Sequence, residues 1–305
     1  MPSTRSTVIA YLVCALVWGT TWFAIRVCIG PGGYPTMPAA AIRFGIAALI
    51  LIPMAWRARP WPVGRAWLWL ILAGILDAVG YALVYLGEER VPGGLAAVLF
   101  GTQPLILALL LTATRMERIG WAEVVGAIVS LVGVGIIYVD RHQTSASEGV
   151  GVMLVLGSVV ASTIYSMIMK RHGDDVHAFA STAVFITVTA ICLGAVCLVT
   201  GDTAIPWPPP TGPTLALLYL AVIGSVLAFV TYFWLLSATN LMTTSTLSFV
   251  LPLVALLVDA LFEHATFDGR AYAGIAVTLS GLIVSLAWKR MRATEPVVEA
   301  EPEAT

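Results

Sequence analysis

Residues 176–200 read VHAFASTAVFITVTAICLGAVCLVT, a continuous run without Asp, Glu, Lys or Arg. A helix needs about 20 largely apolar residues to cross a hydrocarbon layer of roughly 30 Å, and this stretch supplies them. The run is continuously apolar and does not alternate with period two, so it is no barrel strand. Working outward, nine further runs of the same kind follow the breaks made by charged and Pro/Gly-rich segments. The ten lie near 7–29, 36–56, 66–87, 92–113, 120–139, 149–170, 176–200, 213–236, 241–262 and 270–289. The whole chain agrees: 59% of its 305 residues are hydrophobic and 11% are charged, against about 25% charged in a soluble domain. Too few charges remain to cover a water-facing surface. The 16 Lys+Arg against 17 Asp+Glu leave no basic excess for phosphates, which excludes a nucleic-acid partner. The reading is an all-α integral membrane protein with membrane lipid as its solvent.

Charge placement orients the spans. With the N-terminus in the cytoplasm, cytoplasmic segments collect Arg5, Arg57, Arg59, Arg65, Arg115, Arg118, Lys170, Arg171, Lys289, Arg290 and Arg292, and the other side only Arg90, Arg141 and Arg270. This is the positive-inside pattern. Ten spans preserve it and odd counts destroy it, so both termini are expected inside, in the cytoplasmic (inner) membrane. Residues 7–28 are longer than the h-region of a signal peptide and lack a small-x-small site, so they read as a first span that is retained. Residues 293–305 form an acidic, unpatterned tail, expected to be disordered. Cys14, Cys28, Cys192 and Cys197 show no C-x-x-C spacing and read as small apolar residues of spans.

The chain also resembles itself. A shift of 148 residues lays Pro104 on Pro252, Gly126 on Gly274 and Gly133 on Gly281, with Tyr81 on Phe229 and Tyr85 on Phe233. It maps spans three to five onto spans eight to ten. Five is odd, so two such repeats, 1–143 and 144–292, must face opposite ways across the membrane. Inverted repeats with a binding site between them are a transporter architecture. Gly126/Gly133 and Gly274/Gly281, each seven apart on one face, are expected to form close-packing seams.

Several motifs then point to a family. Ala15-Leu16-Val17-Trp18-Gly19-Thr20 is like a W-G-S/T motif of a first helix, and Ala41-Ile42-Arg43-Phe44 like an L-R-F of a second. Pro104 followed by Met116-Glu117-Arg118 stands where G-E-R is usual, and Pro252 with Phe262-Glu263 repeats the pattern. Over its whole length the sequence resembles the EamA-type members of the drug/metabolite transporter superfamily. Glu88-Glu89-Arg90 departs from that family, which is commonly uncharged there. The resemblance implies a secondary transporter of a small organic metabolite, an amino acid or related compound among the options, with export as its direction. A membrane-embedded enzyme or scaffold, or an uptake or exchange carrier on the same fold, stays open. No G-x-S-x-G, Walker A or H-E-x-x-H motif is present, so neither enzyme chemistry nor ATP-driven pumping is expected.

Ionisable groups at membrane depth cost about 2.5–3.5 kcal/mol on insertion scales and are functional candidates for that reason. Arg26, Glu123 and Asp259 lie near span ends, where they can reach the interface. Arg43 is deeper, and suits either an anionic substrate or an ion pair with an acid. Asp77 falls mid-span, followed on the same face by Tyr81, Tyr85 and Glu88; it is the candidate for proton coupling, or for an ion pair with Arg43. An oriented polar pocket is expected from Trp18, Tyr81, Tyr85, Gln103, Tyr165, Tyr232, Ser245 and Ser248, with Trp234 nearby. Pro104 and Pro252 are expected to kink their helices and free a carbonyl. Residues 171–177 (RHGDDVH) gather His and Asp and read as a solvated turn; no metal, cofactor or catalytic group is expected, and the partners are the transported small molecule and protons.

Overall fold

The computed structural model describes residues 3–91, 93–115, 120–138, 146–173, 176–262 and 269–294. Among these there are helices and connecting turns and no strands. In hydrocarbon the backbone must satisfy its own N–H and C=O groups, and a helix does so within one segment. In chain order the helices are α1 Thr4–Ile29, α2 Thr36–Trp56, α3 Arg65–Glu88, α4 Gly93–Phe100, α5 Gln103–Thr114, α6 Trp121–Tyr138, α7 Ala146–His172 and α8 Ala178–Thr200. They continue as α9 Thr211–Ala221, a π-helical turn Val222–Leu227, α10 Ala228–Ala238, α11 Leu241–Ser245, α12 Leu247–Phe262 and α13 Gly269–Thr294.

Seven stretches are long and apolar enough to cross a membrane: α1, α2, α3, α7, α8, residues 211–238 and residues 241–262. Gln103–Thr114, Val124–Gly133 and Tyr272–Gly281 are shorter apolar helices. The outward faces carry large apolar side chains: Leu49 and Trp56 on α2 and Leu109 on α5 are each more than 70% exposed. Water would not tolerate so much contiguous apolar surface; lipid tails cover it without cost.

Two expectations change. The span near 92–113 is broken at Gly101–Thr102, where Thr102 Oγ1 donates to the carbonyl of Leu99 at 2.6 Å. Pro104 therefore does not kink a continuous helix; it sits in the first turn of α5, where its missing N–H costs nothing. Pro252 does lie inside a helix, α12. Of the tail, 293–294 finish α13, and 295–305 lie outside the described residues, as do the 143/144 repeat boundary, Met116, Glu117, Arg118, Arg141 and Glu263. The side chains of Glu123 and Asp259 are likewise outside them.

The packing pairs are reciprocal between the halves. Helix α3 packs on α7 and α1 packs on α9 and α10; α2 meets α8, and α6 meets α13. Under the 148-residue shift each pair maps onto itself or its counterpart. The α6–α13 contact shows this at atomic level. Ser130 Oγ donates to the carbonyl of Thr278 at 3.0 Å, and Thr278 Oγ1 donates to the carbonyl of Ser130 at 3.5 Å. Gly133 abuts the Thr278 nitrogen and the Gly274 carbonyl, while Gly281 abuts the Ser130 nitrogen and the Gly126 carbonyl. Residue i touching j while the equivalent of i touches the equivalent of j is the mark of a two-fold relation. Higher numbers on one helix face lower numbers on the other, so α6 and α13 run antiparallel. A side chain at either glycine would displace backbone.

Gly133→Ala and Gly281→Ala should therefore each lower the thermal midpoint of the detergent-solubilised protein, overpacking typically costing about 1–3 kcal/mol. Gly135→Ala, whose added carbon meets nothing within 4 Å, should leave the midpoint where it is.

Candidate functional site

The site is built around Arg43, which α2 carries into the bundle interior at 1% exposure. A guanidinium there must have its donors occupied. Arg43 Nε donates to Ser225 Oγ at 2.9 Å, Nη1 to the Tyr85 hydroxyl at 3.3 Å, and Nη2 to the Tyr81 hydroxyl at 3.4 Å and the Gly224 carbonyl at 3.3 Å. Its face lies 4.8 Å from the Tyr81 ring centre and 5.1 Å from that of Phe44, a cation–π arrangement. Gly224 and Ser225 both belong to the π-helical turn, so the local widening of the helix coincides with the guanidinium site. Gly224 is also a position of close approach: a Cβ there would stand 3.1 Å from Thr21 Cγ2 and 3.5 Å from Arg43 Nη2.

Asp77, also 1% exposed, is held differently. Its Oδ2 accepts from Thr189 Oγ1 of α8 at 2.9 Å, and the same hydroxyl reaches the carbonyls of Gly74 and Phe185. The expected Asp77–Arg43 ion pair is not formed. Arg43 is satisfied by two phenols, a serine and a carbonyl, which leaves the carboxyl to a threonine. The face Asp77–Tyr81–Tyr85 points inward, the two tyrosines converging on Arg43. Glu88, on the same face, is 9% exposed with neither carboxyl oxygen hydrogen-bonded, but it lies beyond the cavity.

A cavity of about 790 Å³, counted with its opening, lies where the halves meet. From the first half it is walled by Trp18, Trp22, Arg43, Asp77, Tyr81, Phe100 and Gln103, and from the second by Ser158, Ser162, Tyr165, Tyr232, Thr244 and Ser248. Trp18 packs on Tyr232 with ring centres 4.9 Å apart, Tyr165 on Phe185 at 5.1 Å, and Trp22 on Phe100 at 5.1 Å. Tyr232 pairs with Ser166 Oγ at 2.9 Å, and Gln103 Nε2 donates to Ser162 Oγ at 3.5 Å, joining α5 to α7. Three groups among the lining residues are buried without a hydrogen-bond partner: Trp18 Nε1, Trp22 Nε1 and Ser158 Oγ. Indole N–H groups only donate, so what would satisfy the two tryptophans is an acceptor.

Of the residues singled out in the sequence, Trp18, Arg43, Asp77, Tyr81, Gln103, Tyr165, Tyr232 and Ser248 line this one cavity. Tyr85 stands behind it on Arg43, and Ser245 turns back to the Met242 carbonyl of its own helix at 2.9 Å. Trp234 is not among the lining residues. Trp22, Phe100, Thr21, Ser158, Ser162 and Thr244 were not anticipated. Trp22 was detectable as one turn beyond Trp18 on the same face, and Ser158–Ser162–Tyr165 as a helical stripe. Phe100 was not, because it depends on the break at Gly101. Among the described residues no group of His, Cys, Asp and Glu has the geometry to hold a metal. In the 171–177 segment, Asp174 and Asp175 lie outside the described residues, His172 stacks on Trp69, and His177 Nδ1 accepts the backbone N–H of Phe179 at the start of α8.

Comparison with known proteins places this geometry. The EamA-like transporter family matches residues 5–139 and again 149–287. The chain belongs to that family. It is a multi-pass membrane protein of a transporter class rather than an enzyme class. Among its relatives, protein PecM of Dickeya dadantii (strain 3937) is 29% identical over 270 residues, covering 88% of each chain. The uncharacterized inner membrane transporter YedA of Escherichia coli (strain K12) is 26% identical over 288 residues, 93% of this chain and 91% of its own. A solved crystal structure superposes with a TM-score of 0.75 over 96% of this chain and 100% of that one at 20% identity, which establishes the shared fold.

Arg43→Lys keeps the charge but cannot reproduce a fork that meets Ser225, Gly224 and two phenols. Hydrogen bonds to charged groups are worth about 1.5–3 kcal/mol each. The variant should melt well below the wild type in detergent, and Tyr85→Phe, which removes one bond, should lower the midpoint by less.

Proposed function

We propose that the chain is a secondary transporter of a small organic metabolite, built as ten spans in two inverted five-helix repeats, 1–143 and 144–292. Both termini lie in the cytoplasm and the protein resides in the cytoplasmic membrane. The observation that carries the reading is the cavity walled by both halves, with Arg43 and Asp77 on one side and the serine stripe of α7 on the other. Reciprocal, antiparallel packing of α6 on α13 supports the inversion, since equivalent helices of inverted halves must run opposite ways. Inverted repeats let one site face the two sides of a membrane in turn.

In this reading the aromatic walls hold the apolar body of the substrate. Trp18 Nε1, Trp22 Nε1 and Ser158 Oγ offer donors to its acceptors, as a carbonyl or carboxylate would supply. Arg43 sets the positive potential of the pocket while its own bonds fix it in place. Asp77 lines the cavity and is held by a neutral hydroxyl, so it can exchange a proton with water that enters there and couple transport to a gradient. Outward movement is the direction that the family resemblance favours. An amino acid or related compound carries the acceptors that these donors lack.

Two experiments test this. In proteoliposomes holding only this chain, a panel of amino acids and related metabolites should include one with saturable, gradient-driven flux; no flux for any would favour a membrane-embedded enzyme or scaffold. In the same system Asp77→Asn should abolish gradient-driven accumulation and spare exchange of substrate against substrate. Full proton-driven transport in the Asn variant ends the coupling role. For topology, a cysteine placed at Ser145, outside the described residues, should be labelled from outside and one at Gly173 from inside. Labelling of both from one side contradicts the ten-span count.

A further inference from the structure

The two halves differ in how tightly one equivalent pair of helices closes. On α1, Gly19 admits the Val254 side chain of α12 into direct contact, and Phe23 stacks on Phe262 with ring centres 5.5 Å apart. That seam is closed. The shift of 148 carries Gly19 to Met167 and Phe23 to Arg171 on α7, and Phe262 to Thr114 on α5. Here a long side chain stands where the glycine was, the stacking pair is lost, and the helices stay apart. The result is a groove of about 640 Å³, counted with its open side, between α3, α5 and α7.

We propose that this groove is a binding site for a phospholipid with an anionic headgroup. Its walls are apolar: Trp69, Leu110, Ile164, Met167 and Ile168, with Thr114 near the end. The His172 ring lies flat on Trp69, centres 4.4 Å apart at 3°, as an amphipathic plate in the wall. From Ile164 to Arg171 the groove follows two turns of α7, about 10.5 Å, within the depth of one leaflet.

Charge complementarity selects the headgroup. Arg171 lies at the rim, exposed, with no hydrogen bond or ion pair to a described residue. Arg115 follows Thr114 at the end of α5, and Arg65 stands one turn before Trp69 on the same face of α3; both are exposed. Arg171 thus lines the groove itself, and Arg115 and Arg65 stand one residue and one helical turn from the lining residues Thr114 and Trp69. Lys170 does not join them, because its ammonium turns to the carbonyls of Leu236, Ser237 and Thr239 at the end of α10. In the proposed topology this is the cytoplasmic leaflet, and basic pockets between spans on that side suit anionic headgroups. A bound chain would brace α5 against α7 where the other half uses Val254.

The test uses the full chain in detergent, given equal amounts of phosphatidylglycerol and phosphatidylcholine with matched acyl chains, and intact-protein mass spectrometry to read what is retained. Phosphatidylglycerol adducts should dominate. Arg171→Gln and Arg115→Gln should each lower the ratio of the two lipids by about five-fold. Arg5→Gln, an equal charge change at the far end of α1, should not alter it. Ile164→Trp, which fills the groove, should reduce adducts of both lipids, and excess inorganic phosphate should displace neither. Helical circular dichroism identifies any variant that fails to fold, and Arg171→Gln, at an exposed position, should keep the full signal. Equal retention of the two lipids by the wild type overturns the proposal. So does an Arg5→Gln effect as large as that of Arg171→Gln, or displacement by phosphate.

Discussion

A guanidinium in an apolar bundle is stable only if its neighbours are arranged for it, and Arg43 imposes that requirement on three segments at once. Its donors reach Tyr81 and Tyr85 on α3 and the π-helical turn between α9 and α10, and its face rests on Phe44 and Tyr81. The helix that continues α9 is widened there, and a Cβ at Gly224 would press on Thr21 Cγ2 at 3.1 Å beside the guanidinium. Because Arg43 already has these partners, Asp77 is free of it and turns to Thr189. One ionic residue at depth thus ties α2 and α3 to the widened helix of the other half, beside Asp77, the one acid among the described residues that line the cavity.

The second constraint is the crossing of α6 and α13. There the halves meet through equivalent residues, Ser130 and Thr278, with glycines on either side that let the backbones touch. Tight, nearly symmetric contact at this edge contrasts with the loosely filled centre, where aromatic rings surround a cavity and tryptophan and serine donors are left without partners. A structure that is dense at its seam and open at its middle suits a protein that must admit a molecule between two halves.

Much of the fold was legible in the sequence, for a simple reason. Uninterrupted apolar runs have no other stable arrangement in a bilayer, so residues 36–56 and 178–200 became helices close to the expected bounds. Repeat spacing was legible because Pro and Gly are constrained by backbone geometry, and the expected glycine seam is the observed α6–α13 contact. Pro104 was misread because a proline marks a helix start as readily as a kink, and only the break at Gly101–Thr102 distinguishes them. The π-helical turn left no local signal, and the guanidinium that bonds to it comes from 181 residues away. For the site, periodicity found the face Asp77–Tyr81–Tyr85, but not which groups would pair: Arg43 and Asp77 have opposite charge and neighbouring positions, yet phenols and a threonine serve them.

The central claim is that the cavity between the halves faces the two sides of the membrane in turn. Ser162→Cys places a thiol on its wall, in a chain whose own Cys14 and Cys28 are fully buried. Labelling with a membrane-impermeant maleimide in sealed vesicles of each orientation measures the exposure directly. Reaction at position 162 from both sides, slowed in each case by transported substrate, is the predicted result. Reaction from one side alone, in the presence and absence of substrate, would contradict it.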